Sequence, residues 1–189
     1  MKIHIRRINK DDRSNLSHFF KEVITHTFIK EGAEDAVETM EEEIKDKIDF
    51  IDWDFKTEGK ERFFLLATVN NEIVGTVGYG PAGSLISEGS GGELEGINEV
   101  GSVFVLPSHQ QKGIGSMLLN AMYLALLGKG IKEFTLDSGY PTAQKVWCKK
   151  FGEPTYLMKD KWGEGFDHFI WYVKMKDVEI KYRLDSVHV

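Results

Sequence analysis

The chain has 189 residues, 41% apolar and 29% charged, a balance that suits one globular domain with its own core. A formal net charge of −6 argues against nucleic acid as a partner, and the single cysteine, Cys148, excludes an intramolecular disulfide and fits a reducing cytoplasm. No segment approaches the ~20 apolar residues of a membrane span, Met1 to Ile5 alternates where a signal peptide would be apolar, and the histidines offer no pair at metal-ligand spacing, so the expectation is a cytoplasmic protein without metal or membrane partner.

Residues 2–8 alternate like a strand. Asp11, Asp12 and Ser14 then offer caps for a helix whose apolar face is Leu16, Phe19, Phe20, Val23, Ile24 and Phe28. A second helix is predicted from about 33 to 51, with Val37, Met40, Ile44, Ile48 and Ile51 on one side and a heavily acidic exposed face that includes Glu41, Glu42 and Glu43. Residues 63–69 and 73–79 flank Asn70-Asn71-Glu72 as a hairpin. The stretch 80–97 is rich in glycine and serine and lacks periodicity, which predicts a mobile or functional connection.

A strand ending at Leu106 comes next, then a helix over 114–127 closed by Gly128 and Gly130. A strand over 134–137, a helix over 142–150 and two strands over 155–159 and 168–175 complete the pattern. Val178, Ile180, Tyr182 and Leu184 alternate beyond it, so residues 176–189 read as a C-terminal edge strand or tail on a single domain spanning 1–175. The order predicts an α/β (α+β) fold: a central mixed sheet of about seven strands flanked by four helices.

Residues 103–115 carry the strongest chemical signal. A short apolar strand (Val103, Phe104, Val105, Leu106) stops at Pro107, and a polar turn with Gln110, Gln111 and Lys112 leads into Gly113, Ile114, Gly115 and Ser116 at a helix start. The first amides of a helix lack intrahelical partners and its dipole favours anions there, so the pattern predicts an anion site that a phosphate could approach, the plain alternative being a helix start with an ordinary glycine turn. A dinucleotide fingerprint would need a third glycine where Leu118 stands, and a Walker loop needs its lysine after the glycine, whereas Lys112 precedes Gly113.

The strand, the proline and the spacing Gln110-x-x-Gly113-x-Gly115 resemble motif A of the GNAT N-acetyltransferases, which cradles the pyrophosphate of acetyl-CoA. The resemblance runs element by element over roughly residues 2 to 175. It implies the GNAT fold, in which the motif A strand and the next one splay apart. It also implies an acetyl-CoA-dependent N-acetyltransferase that moves acetyl directly to a primary amine of a small-molecule or peptide acceptor. The coenzyme contacts would come from Gln110, Gln111, Lys112, Gly113, Ile114, Gly115 and Ser116, with main-chain contacts from Val103, Phe104 and Val105. A homodimer stays open, as does a catalytically silent acyl-CoA-binding or regulatory module.

An alkylammonium acceptor has a pKa near ~10.4, so transfer needs a base. Glu99 stands eleven residues before Gln110, the offset of the catalytic glutamate in histone-type members, and a carboxylate at a partly desolvated cleft mouth titrates toward neutrality. Glu93 and Glu95 lie in the irregular stretch and are poorer candidates. The family often places a tyrosine near the coenzyme sulfur as general acid. Aligning Gly152 with the motif's last glycine puts Cys148 at that position, so the acid is open between Cys148 and the nearby Tyr140 and Tyr156. The acidic second helix, with Trp53, Phe55, Trp162 and Trp171, would suit a cationic amine.

Overall fold

The computed structural model describes residues 1–182. β1 (Ile3–Arg7), β2 (Phe63–Val69), β3 (Glu72–Gly80) and β4 (Glu99–Val105) pair antiparallel in succession. β5 (Glu133–Ser138) joins β4 in parallel, and β7 (His168–Lys174) pairs antiparallel with both β5 and β6 (Tyr156–Met158). The result is one seven-stranded mixed sheet in the order β1-β2-β3-β4-β5-β7-β6.

α1 (Arg13–Lys30) and α2 (Val37–Thr57) cover one face, while α4 (Ile114–Gly128) and α5 (Pro141–Phe151) cover the other. The side chains that meet each helix fix this arrangement. Phe104 of β4 meets Phe20 of α1 edge-on at 5.9 Å, and its neighbour Val105, on the opposite face, approaches Gly115 of α4. A Cβ at Gly75, opposite Val105, would stand 2.9 Å from Leu118, so the missing side chain lets α4 settle on the sheet. Phe134 of β5 stacks on Tyr123 of α4 and meets Phe151 of α5, which completes that layer. All six residues expected on the apolar face of α1 are buried.

Several boundaries differ from expectation. The N-terminal cap is Asn9, whose side chain accepts from Asp11 N–H across a one-turn 3-10 helix, while Asp12 is held by Arg6 through two contacts of 2.7 Å. α2 starts and ends later than the apolar spacing suggests. Val37 is 48% exposed and contributes no anchor, whereas Ile51 and Asp54 are buried and hold the C-terminal half.

The four expected helices are joined by a fifth, α3 (Ser84–Gly89), inside the stretch read as irregular. Six residues are too few to display a helical period, but Ile86 and Leu94 build a small second core with Ile170 of β7. Residues 178–182 form no strand. Val178 and Ile180 pack against the main core, and Asn120 donates to the Lys181 carbonyl at 2.8 Å. Leu184, the last member of the alternating pattern, lies outside the described residues.

Candidate active site

The site begins with an irregularity in β4. Gly78 opposes Gly101 and Thr76 opposes Phe104, so Val77 faces two residues, Ser102 and Val103. Ser102 takes a left-handed φ of 51°, and Thr76 Oγ1 donates to its carbonyl at 2.9 Å. This is a β-bulge, which bends a strand and re-aims the residues beyond it. Consistently, β4 and β5 pair only at Glu99 and Thr135, with Thr135 N–H donating to the Asn98 carbonyl at 2.9 Å. Past this pair the strands diverge, and Val103, Phe104 and Val105 have no strand partner on their β5 side. Their side chains pack against the core, so what they offer to the gap is backbone.

At the far end of β4 a one-turn 3-10 helix, Pro107–His109, delivers the chain to the glycine turn. Gln111 (φ 59°) and Gly113 (φ 82°) are both left-handed, and Gly113 is the N-cap of α4. For Gly113 the need for glycine is conformational, since a Cβ there would meet nothing within 4 Å. Backbone hydrogen bonding stops with Gln110 N–H donating to the Pro107 carbonyl and resumes with Met117 N–H donating to the Gly113 carbonyl. No side chain caps the helix, so the amides of residues 111–116 have no backbone partner among the described residues. A Cβ at Gly115 would touch only Val105, at 3.8 Å, which leaves the approach to these amides open. Open amides, a helix dipole and no carboxylate in the turn fit a pyrophosphate.

Gln110 and Lys112 also make hydrogen bonds within the turn itself. Gln110 Nε2 donates to the Val105 carbonyl at 3.1 Å, and Lys112 Nζ donates to the Ser108 carbonyl at 2.8 Å. Both brace the turn. Ile114 is a buried core residue, and only its backbone belongs to the turn's surface.

Glu99 opens β4, on the α1–α2 face of the sheet. Its side chain is only 13% exposed, and Oε1 lies over Gly101, 3.1 Å from where a Cβ would stand. Gly83 N–H donates to Oε2 at 3.1 Å, and Arg62 Nη1 stands 3.9 Å from Oε1. Burial pushes the carboxyl up to about 7, reinforced by the charge of Asp137. The Gly83 amide, Lys47 and Arg62 oppose the rise.

The other candidates are scattered. Glu93 accepts from the Tyr156 hydroxyl at 2.8 Å, which pins the connection holding α3 to β6, and Glu95 is exposed. Tyr140 sits at the N-cap of α5, where its hydroxyl donates to Glu43. Burial, with that carboxylate beside it, drives its pKa far above the ordinary tyrosine range, so it is a poor proton donor. Cys148 is half-buried against the main core.

The acidic run divides in the same way. Asp54 is buried against Arg7, Asp52 pairs with Arg13 at 2.7 Å and Glu43 holds Tyr140, while Glu41 and Glu42 face solvent. Among the aromatics, Trp171 is buried and donates to the Gly152 carbonyl, Phe55 is half-buried and Trp53 donates to Glu61. Trp162 reaches His168.

Sequence reasoning missed Ser102, Arg62, Asp137 and His168. The bulge has no local signature, and the other three become neighbours of the cleft only through tertiary packing. Among the described residues no three His, Cys, Asp or Glu side chains are grouped to hold a metal, and no helix is long and apolar enough to cross a membrane.

Solved structures share this architecture. A GNAT-family protein from Desulfovibrio desulfuricans superposes with a TM-score of 0.70 at 17% identity, over 92% of this chain and 99% of that one. The PaiA N-acetyltransferase from Thermoplasma acidophilum, in complex with coenzyme A, gives 0.67 at 20% identity over 92% and 99%. YncA from Salmonella typhimurium, with acetyl-CoA, gives 0.63 at 16% identity over 99% and 100%. At these identities the likeness establishes the fold. No curated protein matches the chain. The sequence model of the Acetyltransferase (GNAT) family matches residues 26–152, from α1 through the bulged strand and the glycine turn to the C-cap of α5. On that match, and with that sheet, the chain belongs to the GNAT acetyltransferase family.

Proposed function

We propose that the protein is an acetyl-CoA-dependent N-acetyltransferase that moves acetyl directly onto a primary amine, with Glu99 as general base. The observation that carries this reading is the position of Glu99: a carboxyl withdrawn from solvent where β4 and β5 part, in a burial that pushes its pKa up to about 7. An ammonium acceptor must lose a proton before its nitrogen can attack, and a base poised near neutrality is the most effective acceptor for it. The unpartnered amides of residues 111–116 would hold the pyrophosphate of the donor. The unpaired β5 side of Val103, Phe104 and Val105 would supply main-chain contacts and an amide for the charge that develops on the acyl oxygen. Acetyl-CoA supplies the activated acyl group as a thioester, and PaiA and YncA were solved with coenzyme A and acetyl-CoA.

One observation favours a second reading, a catalytically silent acyl-CoA-binding module. Both Tyr140 and Tyr156 have hydroxyls engaged by carboxylates, and Cys148 packs against the core, which leaves no obvious proton donor for a departing thiolate. Release of free thiol from acetyl-CoA against a panel of polyamines, amino acids, aminoglycosides and peptide N-termini separates the two. Amine-dependent thiol release supports the enzyme. Tight acetyl-CoA binding with no release above background for any amine supports the silent module.

A further inference from the structure

Behind Glu99 lies a chain of hydrogen bonds that the proposed chemistry does not use. Trp162 Nε1 is 3.2 Å from His168 Nδ1, and His168 Nε2 is 3.0 Å from Asp137 Oδ2. Indole can only donate, so Nδ1 of His168 must accept and carries no proton. The imidazole proton is then on Nε2 and points at Asp137. His168 is buried, with 4% of its side chain exposed. Trp162 is half exposed and reaches it only because Gly139 has no side chain: a Cβ there would stand 2.5 Å from Nε1.

Register puts this chain on the Glu99 face of the sheet. Glu99 opposes Thr135 in the parallel pair, and Asp137, two residues on, points to the same side. The β4 residue two past Glu99 is Gly101, so β4 places no side chain between the two carboxyls, and Glu99 Oε1 leans over that gap. Asp137 opposes Ile170 on β7, and His168 is the diagonal neighbour on the same face.

We propose that Trp162, His168 and Asp137 form a positioning chain for the base: the indole fixes the imidazole tautomer, and the imidazole holds the Asp137 carboxylate on the cleft face, across Gly101 from the Glu99 carboxyl. The inference rests on the reading of Glu99 as base. The other groups that act on the Glu99 charge favour its ionised form: Lys47 from α2, Arg62 from the approach to β2, and the Gly83 amide ahead of α3. Lys47 is itself partly neutralised by Glu43 at 4.0 Å. Without Asp137, burial would still raise the carboxyl, but by less against these opposing groups. Asp137 is the one like charge among the groups that act on Glu99, and its effect is second only to burial. Asp137, with 27% of its side chain exposed, is tied on this face by His168 Nε2 at 3.0 Å.

Carboxyl ¹³C shifts of the glutamate-labelled protein, with coenzyme A bound and the Glu99 signal assigned from Glu99→Gln, test the chain without any acceptor. The wild-type midpoint is expected at about 7. Asp137→Asn should move it toward acid by roughly one unit. His168→Leu should move it the same way, and His168→Gln, which keeps a donor, should restore most of the wild-type value. Trp162→Phe and Gly139→Ala alter a half-exposed contact and should give smaller shifts in the same direction, so the chain stays testable even if His168→Leu does not fold. An unmoved midpoint in Asp137→Asn overturns the proposal. A shift in Asp137→Asn with none in the His168 and Trp162 variants overturns the chain behind it. Failure of the base assignment would look different: Glu99→Gln would keep its turnover while the midpoint still responded to Asp137.

Discussion

The Arg62 guanidinium stands 3.9 Å from the Glu99 carboxylate, with 3% and 13% of the two side chains exposed. Arg62 is held mainly by other contacts. Its Nη2 donates to the Pro81 carbonyl at 2.7 Å, and its Cζ lies 3.8 Å from the Phe50 ring centroid and 5.2 Å from that of Trp53. Its buried Nε has no partner among the described residues, and burial lowers its pKa from the ordinary arginine value. The cation therefore tempers the desolvation of Glu99 without cancelling it, and the carboxyl remains a neutral-range acid.

Glu99 should make stability depend on pH in a direction unusual for a carboxylate. Its folded pKa is raised from 4.5 to about 7, so its favourable contribution is complete below about 4.5 and is lost as pH rises through about 7. Glu99→Gln removes that titration. Thermal melting should show the variant gaining on wild type between those limits, by up to roughly 3 kcal/mol. A difference between the two proteins that is constant with pH would contradict the burial argument.

Arg7→Leu should be among the most destabilising single changes. Arg7 grips Asp54 with contacts of 3.0 and 2.5 Å, the aspartate is fully buried, and the Phe64 amide donates to it at 2.6 Å. Removing the guanidinium strands a buried carboxylate, at a cost of about 3–5 kcal/mol. Urea denaturation checks it, and Arg7→Leu/Asp54→Leu should recover part of the loss.

Gly113→Val should weaken acetyl-CoA binding through conformation rather than bulk. The left-handed φ of 82° is strained for a β-branched residue, by about 1–3 kcal/mol, although the space around it is open. The turn should relax away from its present path and misdirect its free amides, raising the dissociation constant about tenfold or more. Calorimetry giving an unchanged constant with the fold intact would move the phosphate site elsewhere.

Much of this architecture was legible in the sequence. The periodic apolar residues of α1 and the alternation of the hairpin strands report directly which side is buried, and the glycine turn announces a helix start with exposed amides. Glu99 was legible through its distance from Gln110, but not through its surroundings. Gly101, which makes room for its carboxyl, looks in the sequence like any strand glycine. Arg62, Asp137 and His168 lie on three different segments, and only the sheet order brings them to bear on Glu99. For Gln110 and Lys112 the sequence could not show that each side chain also donates to a carbonyl of the loop itself, because a polar side chain beside an anion site can serve the ligand or the loop equally well.

The most direct test of the account is the pH profile of kcat/KM for acetyl transfer to the best amine of the panel, in wild type and Glu99→Gln, with acetyl-CoA affinity measured alongside. The wild type should show an acid limb with a midpoint at about 7. Glu99→Gln should bind acetyl-CoA normally, lose that limb and fall by ~10²–10⁴ in turnover. A variant that keeps both the limb and near-normal turnover would contradict the assignment of Glu99 as the base.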